Sequence, residues 1–346
     1  MGTKRVLVTG GAGFIGSHLC EALLKRGDQV FVIDDFSTGR IENVAHLQDA
    51  PGFHLTEGSI LDFPLLESML KKADLIFHLA AVVGVQKIIE VPVDTIEINV
   101  LGSHNVLTLA ARYGTPCLLA STSEVYGKSV KYPFVENDDA VYGPTTKSRW
   151  SYACSKAIDE FLALAYHHEQ HLPVVIARLF NTTGPRQTGR YGMVLPRFVD
   201  QALRGQPMTV FGSGRQTRCF ADVSDVVRAL LLLADEPAAV GQVFNVGNPE
   251  EVSIGDLARL VKKLTQSDSE IRLIPYDDAY EPGFEDMERR IPSIEKISRF
   301  VGFGPRVKLR EIIRRIVASK RQELAESELP VTAALRSPVL RAGAGE

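Results

Sequence analysis

Tyr152-Ala-Cys-Ser-Lys156 sets a phenol and an ammonium four residues apart. On a helix, positions i and i+4 share a face. A lysine held beside a tyrosine favours the phenolate, so a side chain with a free pKa of about 10 becomes usable as a base at lower pH. Such a base takes the proton of a secondary alcohol while a hydride leaves the same carbon. The spacing also arises on any amphipathic helix with an exposed lysine, so the surrounding elements decide its meaning.

A hydride needs an acceptor, and the N-terminus has the pattern of a dinucleotide cradle. Arg5-Val-Leu-Val-Thr9 is a short β-branched run that reads as a buried strand. It breaks into Gly10-Gly11-Ala12-Gly13-Phe14-Ile15-Gly16, and a helical stretch follows over 17–26. Glycines permit a tight turn and a close approach of backbone N–H groups to a pyrophosphate, at a helix end whose dipole favours anions. Gly16 allows the helix to pack closely on the strand. A second strand, Gln29-Val-Phe-Val-Ile33, ends in Asp34-Asp35. An acid about twenty residues beyond the glycines is placed for a ribose 2′-hydroxyl and repels a 2′-phosphate, which favours NAD over NADP.

Composition limits the alternatives. The chain has 346 residues, 45% hydrophobic and 23% charged, with a net charge of −3. That length suits one large α/β domain or two coupled lobes. The charge gives no footprint for nucleic acid or a membrane surface. The longest apolar run, Ala229 to Ala234, is too short to span a bilayer, and the N-terminus turns into glycines too soon for a signal peptide. Four isolated cysteines, with no CxxC pair, are expected to be reduced thiols in a cytoplasmic protein without a metal site.

The G-x-x-G-x-x-G spacing preceded by Thr9 resembles the short-chain dehydrogenase/reductase superfamily, in its extended branch that modifies nucleotide sugars. The resemblance runs to about residue 318. It implies a Rossmann-type, doubly wound parallel sheet with a smaller C-terminal α/β substrate lobe. Residues 1–180 would bind NAD, with later segments crossing back, 181–318 would bind the sugar nucleotide, and 319–346 would be a disordered tail. Cofactor contacts are implied for Gly10, Gly13, Phe14, Ile15, Gly16, Asp34, Asp62, Ala80, Asn99, Tyr152 and Lys156. Thr122 matches the serine or threonine that hydrogen-bonds the sugar hydroxyl, and Tyr152 matches the base.

Ser121-Thr-Ser-Glu-Val-Tyr-Gly127 is similar to the UDP-glucuronate decarboxylases, where many 4-epimerases have a small residue in place of Glu124. Dehydratases place an aspartate before that glutamate, and here the residue is Ser123. Oxidation at C4 makes the C6 carboxylate part of a β-keto acid, and a polar group near C5 and C6 can steer the carboxylate and handle the proton delivered to C5. Glu124 can equally serve as a cap or ion-pair partner beside the site. Asp286-Met-Glu-Arg-Arg-Ile-Pro-Ser-Ile294 resembles the decarboxylases' Arg-x-Pro segment, which gives Arg290 either substrate binding with proton transfer or diphosphate binding alone. Asn181 and Arg218 resemble diphosphate contacts, a role that suits the guanidinium fork.

Arg149-Trp150-Ser-Tyr-Ala-Cys-Ser-Lys156 is closer to the aminoarabinose-pathway decarboxylases and the apiose/xylose synthases than to ordinary xylose synthases, whereas 179–220 resembles a general UDP-sugar 4-epimerase. UDP-glucuronate decarboxylation to UDP-xylose is therefore the expected activity, with UDP-sugar 4-epimerisation as the alternative and a non-catalytic NAD-binding sensor as the third reading. Helices over 99–113 and 152–168 match those that pair two subunits in this superfamily, which implies a homodimer.

Overall fold

A computed structural model describes residues 2–84, 91–189, 193–275 and 289–328. Strands β1 (Arg5–Thr9), β2 (Gln29–Asp34), β3 (Phe53–Glu57), β4 (Leu75–His78), β5 (Cys117–Thr122) and β6 (Val174–Leu179) alternate with helices α1 (Phe14–Arg26), α2 (Phe63–Leu70), α3 (Pro92–Tyr113) and α4 (Arg149–Gln170). The second half brings β7 (Thr182–Thr183), α5 (Val194–Leu203), β8 (Met208–Phe211), β9 (Thr217–Cys219), β10 (Ala221–Asp222) and α6 (Val223–Ala234). It closes with β11 (Gln242–Val246), β12 (Glu251–Ser253), α7 (Ile254–Thr265), β13 (Ile271–Ile274), α8 (Glu295–Val301) and α9 (Leu309–Glu328).

Seven strands form one sheet in the order β11-β6-β5-β4-β1-β2-β3, and every pair in it is parallel. Val6, Leu7 and Val8 are all buried, as continuous apolar strands are when both faces of a parallel sheet are covered. On one face Leu19 and Leu23 of α1 meet Val226, Leu230 and Leu233 of α6. On the other, Leu66 and Leu70 of α2 join Val106 and Leu107 of α3 and Ala163 of α4. The strand order reverses between β1 and β4, which opens a crevice at their carboxyl ends. A separate core of Leu195, Phe198, Val199, Leu257, Val261, Ile312 and Ile316 holds α5, α7 and α9 together. The second half is not detached from the first, since β11 forms the sheet's edge against β6.

Some boundaries differ from the sequence pattern for local reasons. Helix α3 starts at Pro92 rather than Asn99, because proline fits the first turn, where its missing N–H is no loss. Ser148 precedes α4, and the Ser151 hydroxyl in its first turn donates back to the Ser148 carbonyl at 2.7 Å. The chain from 319 to 328, expected in the tail, is helical. Ile312, Ile313, Ile316 and Val317 keep α9 on the core, and the Lys320–Glu323 ion pair supports its last turns. Residues 329–346, and 286–288 of the Arg290 segment, lie outside the described residues.

Candidate active site

The crevice is a cavity of about 440 Å³, within the range of small-molecule sites. Its first end is built by the β1–α1 turn. Gly10, Gly13, Phe14, Ile15 and Gly16 all line it, together with Asp34 and Ala80. Gly10 has φ +73, and a Cβ there would lie 2.8 Å from the Ala80 nitrogen. A Cβ on Gly16 would collide with the Gly10 carbonyl. Gly13 caps α1 with no side chain, so the helix presents its first N–H groups to the cavity. Asp34 is 7% exposed and accepts from Ala12 N at 2.8 Å and Phe36 N at 2.9 Å. Burial pushes its carboxyl above the usual range, and these two backbone donors oppose the shift. The glycine cradle, the open helix end and the carboxylate at the end of β2 fit a dinucleotide with a free ribose 2′-hydroxyl.

Two residues expected to touch the cofactor do not line this cavity. Asp62 caps α2, its Oδ1 accepting from Leu65 N at 3.1 Å, and the wall of that loop is Gly58 and Ile60. Pro64 in the first turn leaves Leu65 N as an early donor needing an acceptor, and Asp62 supplies it. Asn99 is fully buried behind the wall. Its Oδ1 accepts from Val82 N at 2.8 Å, and its Nδ2 donates to Val82 O and to Ser155 Oγ, both at 3.3 Å. It braces the loop after β4 against α4.

The other end of the cavity gathers Thr122, Glu124, Tyr152, Lys156, Asn181, Arg218 and Arg290. Thr122 ends β5 and accepts from Glu124 N at 3.2 Å, which starts the 3-10 turn Ser123–Tyr126. The Glu124 carboxylate lies between two guanidinium groups, Arg290 Nη2 at 2.7 Å and Arg149 Nη2 at 3.5 Å. Asn181 Nδ2 donates to Cys219 O at 2.9 Å and Arg218 Nη1 to Thr217 O at 2.8 Å, which fixes both along the far wall.

Tyr152 and Lys156 meet the cavity together, but their electrostatics differ from the sequence expectation. The phenol of Tyr152 is pushed up, by burial first and by the Glu124 charge next, while Thr122 and Arg290 pull it down. The Lys156 ammonium donates to Asp159 Oδ2 at 2.7 Å, so a carboxylate balances it inside the protein.

Sequence reasoning overlooked three kinds of support. Arg149 stands in the segment compared with the decarboxylases, yet its contact with Glu124 needs the fold. Asp159 follows Lys156 by three residues, a spacing that reads as an ordinary helix pair. The third is a buried lock. The Tyr126 hydroxyl donates to Asn245 Oδ1 at 2.7 Å, and Asn245 Nδ2 donates to Phe134 O at 3.0 Å and Ser293 O at 3.3 Å. Phe134 pairs with the Arg290 segment through Phe134 N to Ile291 O and Ser293 N to Phe134 O, each 2.8 Å. Asn245 on β11 thus joins the turn carrying Glu124 to the segment carrying Arg290. No single local pattern announces that lock.

A dinucleotide cradle at the switch point of a parallel sheet, sharing one cavity with a tyrosine–lysine pair, defines a Rossmann-type dinucleotide-dependent enzyme site. Residues 7–316 match the model of the GDP-mannose 4,6 dehydratase family, and the chain belongs to that family, within the NAD-dependent epimerase/dehydratase superfamily. Among its relatives is the UDP-N-acetyl-alpha-D-glucosaminuronate decarboxylase of Bacillus cytotoxicus, 43% identical over 88% of this chain and 94% of that one. UDP-glucuronic acid decarboxylase 4 of Arabidopsis thaliana is 41% identical over 92% of this chain and 69% of that one. Among solved structures, the UDP-glucuronic acid 4-epimerase of Bacillus cereus, in complex with UDP-glucuronic acid and NAD, superposes with a TM-score of 0.83 at 28% identity, covering 92% of this chain and 99% of that one.

Proposed function

We propose that this chain is an NAD-dependent UDP-glucuronate decarboxylase that forms UDP-xylose through a 4-keto intermediate. The observation that carries the reading is Glu124, held at 2.7 Å from Arg290 in the same cavity as Thr122 and Tyr152. The two decarboxylase relatives support it. NAD bound on the glycine turn supplies a hydride acceptor for C4 and a hydride donor afterwards. Thr122 and Tyr152 bracket the C4 hydroxyl, and Tyr152 Oη takes its proton. The resulting ketone lies β to the carboxylate, so the C5–C6 bond breaks with its electrons moving towards the carbonyl. Arg290 and Arg149, held by Glu124, orient the sugar carboxylate, and the proton that C5 takes comes from a solvent water, with Glu124 passing it on. Asn181 and Arg218 hold the diphosphate.

The test is to incubate the protein with UDP-glucuronate and NAD and resolve the products by mass. A product lighter by one CO2 is expected. An isomer of unchanged mass would replace this reading by 4-epimerisation, which the Bacillus cereus enzyme keeps as the second reading. Complete inactivity across UDP-, dTDP- and GDP-sugars would favour a binding protein that senses NAD. UDP-N-acetylglucosaminuronate belongs in the same assay, because the Bacillus cytotoxicus relative is named for it.

The homodimer is part of the proposal. Helices α3 and α4 pack side by side, and Val93, Ile96, Leu101, Ile158 and Phe161 on them are exposed, Phe161 by 75%. An apolar patch of this kind on paired helices is what a subunit interface covers. Phe161→Asp is expected to convert a dimer into a monomer in sedimentation, and a wild type that sediments as a monomer would remove the homodimer. We also place the protein in the cytoplasm. Its four cysteines are all free thiols, and among the described residues no helix is long and apolar enough to cross a membrane.

A further inference from the structure

Asp159 takes no part in the steps above, yet it is fully buried on the helix that carries Tyr152 and Lys156. Its Oδ2 accepts from Lys156 Nζ at 2.7 Å, and the two side chains are 0% and 3% exposed. A chain of buried polar groups runs from this pair back to the loop after β4. The Ser103 hydroxyl on α3 favours the charged form of Asp159. Ser103 Oγ lies 3.0 Å from His78 Nε2, His78 Nδ1 lies 2.7 Å from Thr9 Oγ1, and Ala80 N donates to Thr9 Oγ1 at 3.2 Å. Burial pushes His78 down to about 3, so its imidazole is neutral. One set of directions satisfies these contacts: Thr9 donates to Nδ1 and Nε2–H donates to Ser103 Oγ. The row thus reaches Ser103, beside the buried Asp159 carboxylate.

We propose that Asp159 is a positioning residue that clamps the Lys156 ammonium and weakens the field it exerts on Tyr152, so that Asp159 sets the pH at which Tyr152 becomes a base. The inference rests on the reading of Tyr152 as the base. The charged groups that bear on it come from several elements. Tyr152 faces Glu124 after β5, with Arg149 behind it, and Arg290 from the C-terminal segment. Asp159 faces Lys156, Ser103, and Glu160, whose own charge is held by Arg178 of β6 at 2.7 Å. Lys156 in turn faces His78 of β4 and Cys117 of β5. Of these, the carboxylates of Glu124 and Asp159 push the Tyr152 phenol up, and Arg290 pulls it down. Asp159 is the one of the two carboxylates that is directly paired with the lysine of the motif.

Asp159→Asn keeps an acceptor for Lys156 and removes the charge. The acid limb of kcat/KM for UDP-glucuronate is expected to move to lower pH by about one unit. The phenolate absorbance of Tyr152, taken as the difference from Tyr152→Phe, should titrate at lower pH by the same amount without any turnover. Asp159→Glu restores the carboxylate and should return both curves towards wild type. Asp159→Ala, a substitution well suited to a helix, carries the same expectation if the amide is not tolerated. Curves that stay at the wild-type pH, with activity lowered evenly across the range, overturn the proposal and leave Asp159 as an ion-pair partner only. Retained turnover by Tyr152→Phe would instead remove the reading of Tyr152, and the phenolate titration would still decide whether Asp159 tunes that residue.

Discussion

Tyr152→Phe lowers turnover of UDP-glucuronate by about 10²–10⁴-fold, the range that a positioned proton-transfer group contributes, and leaves NAD binding intact. The ring remains, so the packing of α4 is kept, and only the hydroxyl proposed to meet the substrate is lost. NAD binding is read from the fluorescence of Trp150, the single tryptophan of the chain, which is 2% exposed at the start of the same helix. A variant that loses NAD binding in parallel with turnover would show Tyr152 acting as a cofactor contact, and the loss of turnover would no longer measure proton transfer. The same substitution removes the group whose phenol is pushed up by burial and by Glu124. The residual activity should therefore show no acid limb assignable to a tyrosine.

Glu124→Ala is expected to slow CO2 release by about 10²-fold while C4 oxidation falls far less. Two opposed effects separate the steps. Removing the carboxylate takes from Arg290 and Arg149 their shared partner, which on the proposed reading disturbs the place of the sugar carboxylate. It also removes a charge that raises the Tyr152 phenol, which makes proton removal from the C4 hydroxyl easier. Single-turnover mixing follows oxidation by the absorbance of reduced cofactor and decarboxylation by released CO2. Equal losses in both signals would reduce Glu124 to a clasp for Arg290. That is the plainer of its two sequence readings, and the 2.7 Å ion pair shows that the contact itself exists.

The parts of the site legible in the sequence are those built from one short stretch. The β1 run, the glycines and Asp34 lie within a single strand–helix–strand unit, so spacing alone places them, and the structure brings them to one end of the cavity. Asp62 shows the limit. Both a cofactor loop and a helix start call for a carboxylate near that position, and what the structure shows is the helix contact, Leu65 N donating to Asp62 Oδ1. Asn99 shows another, since an asparagine behind a wall and one in it have the same local sequence. Electrostatics were less visible still. Tyr152 and Lys156 imply a depressed phenol when taken as a pair, but desolvation and two carboxylates, one of them three residues along the same helix, reverse the direction.

The lock around Asn245 gives the chain an order of assembly. The cofactor cradle needs only segments that leave the ribosome early and pair with near neighbours. Tyr126 and Asn245 are 119 residues apart, and contacts at such separation are expected to form late, so the lock that joins the Glu124 turn to the Arg290 segment is expected to close after β11 docks. A nascent chain halted before that strand would hold the parts of a hydride-transfer site without the grip on the carboxylate that follows it. On the proposed reaction, the connectivity is expected to complete the oxidising half of the site before the half that commits the sugar to losing a carbon.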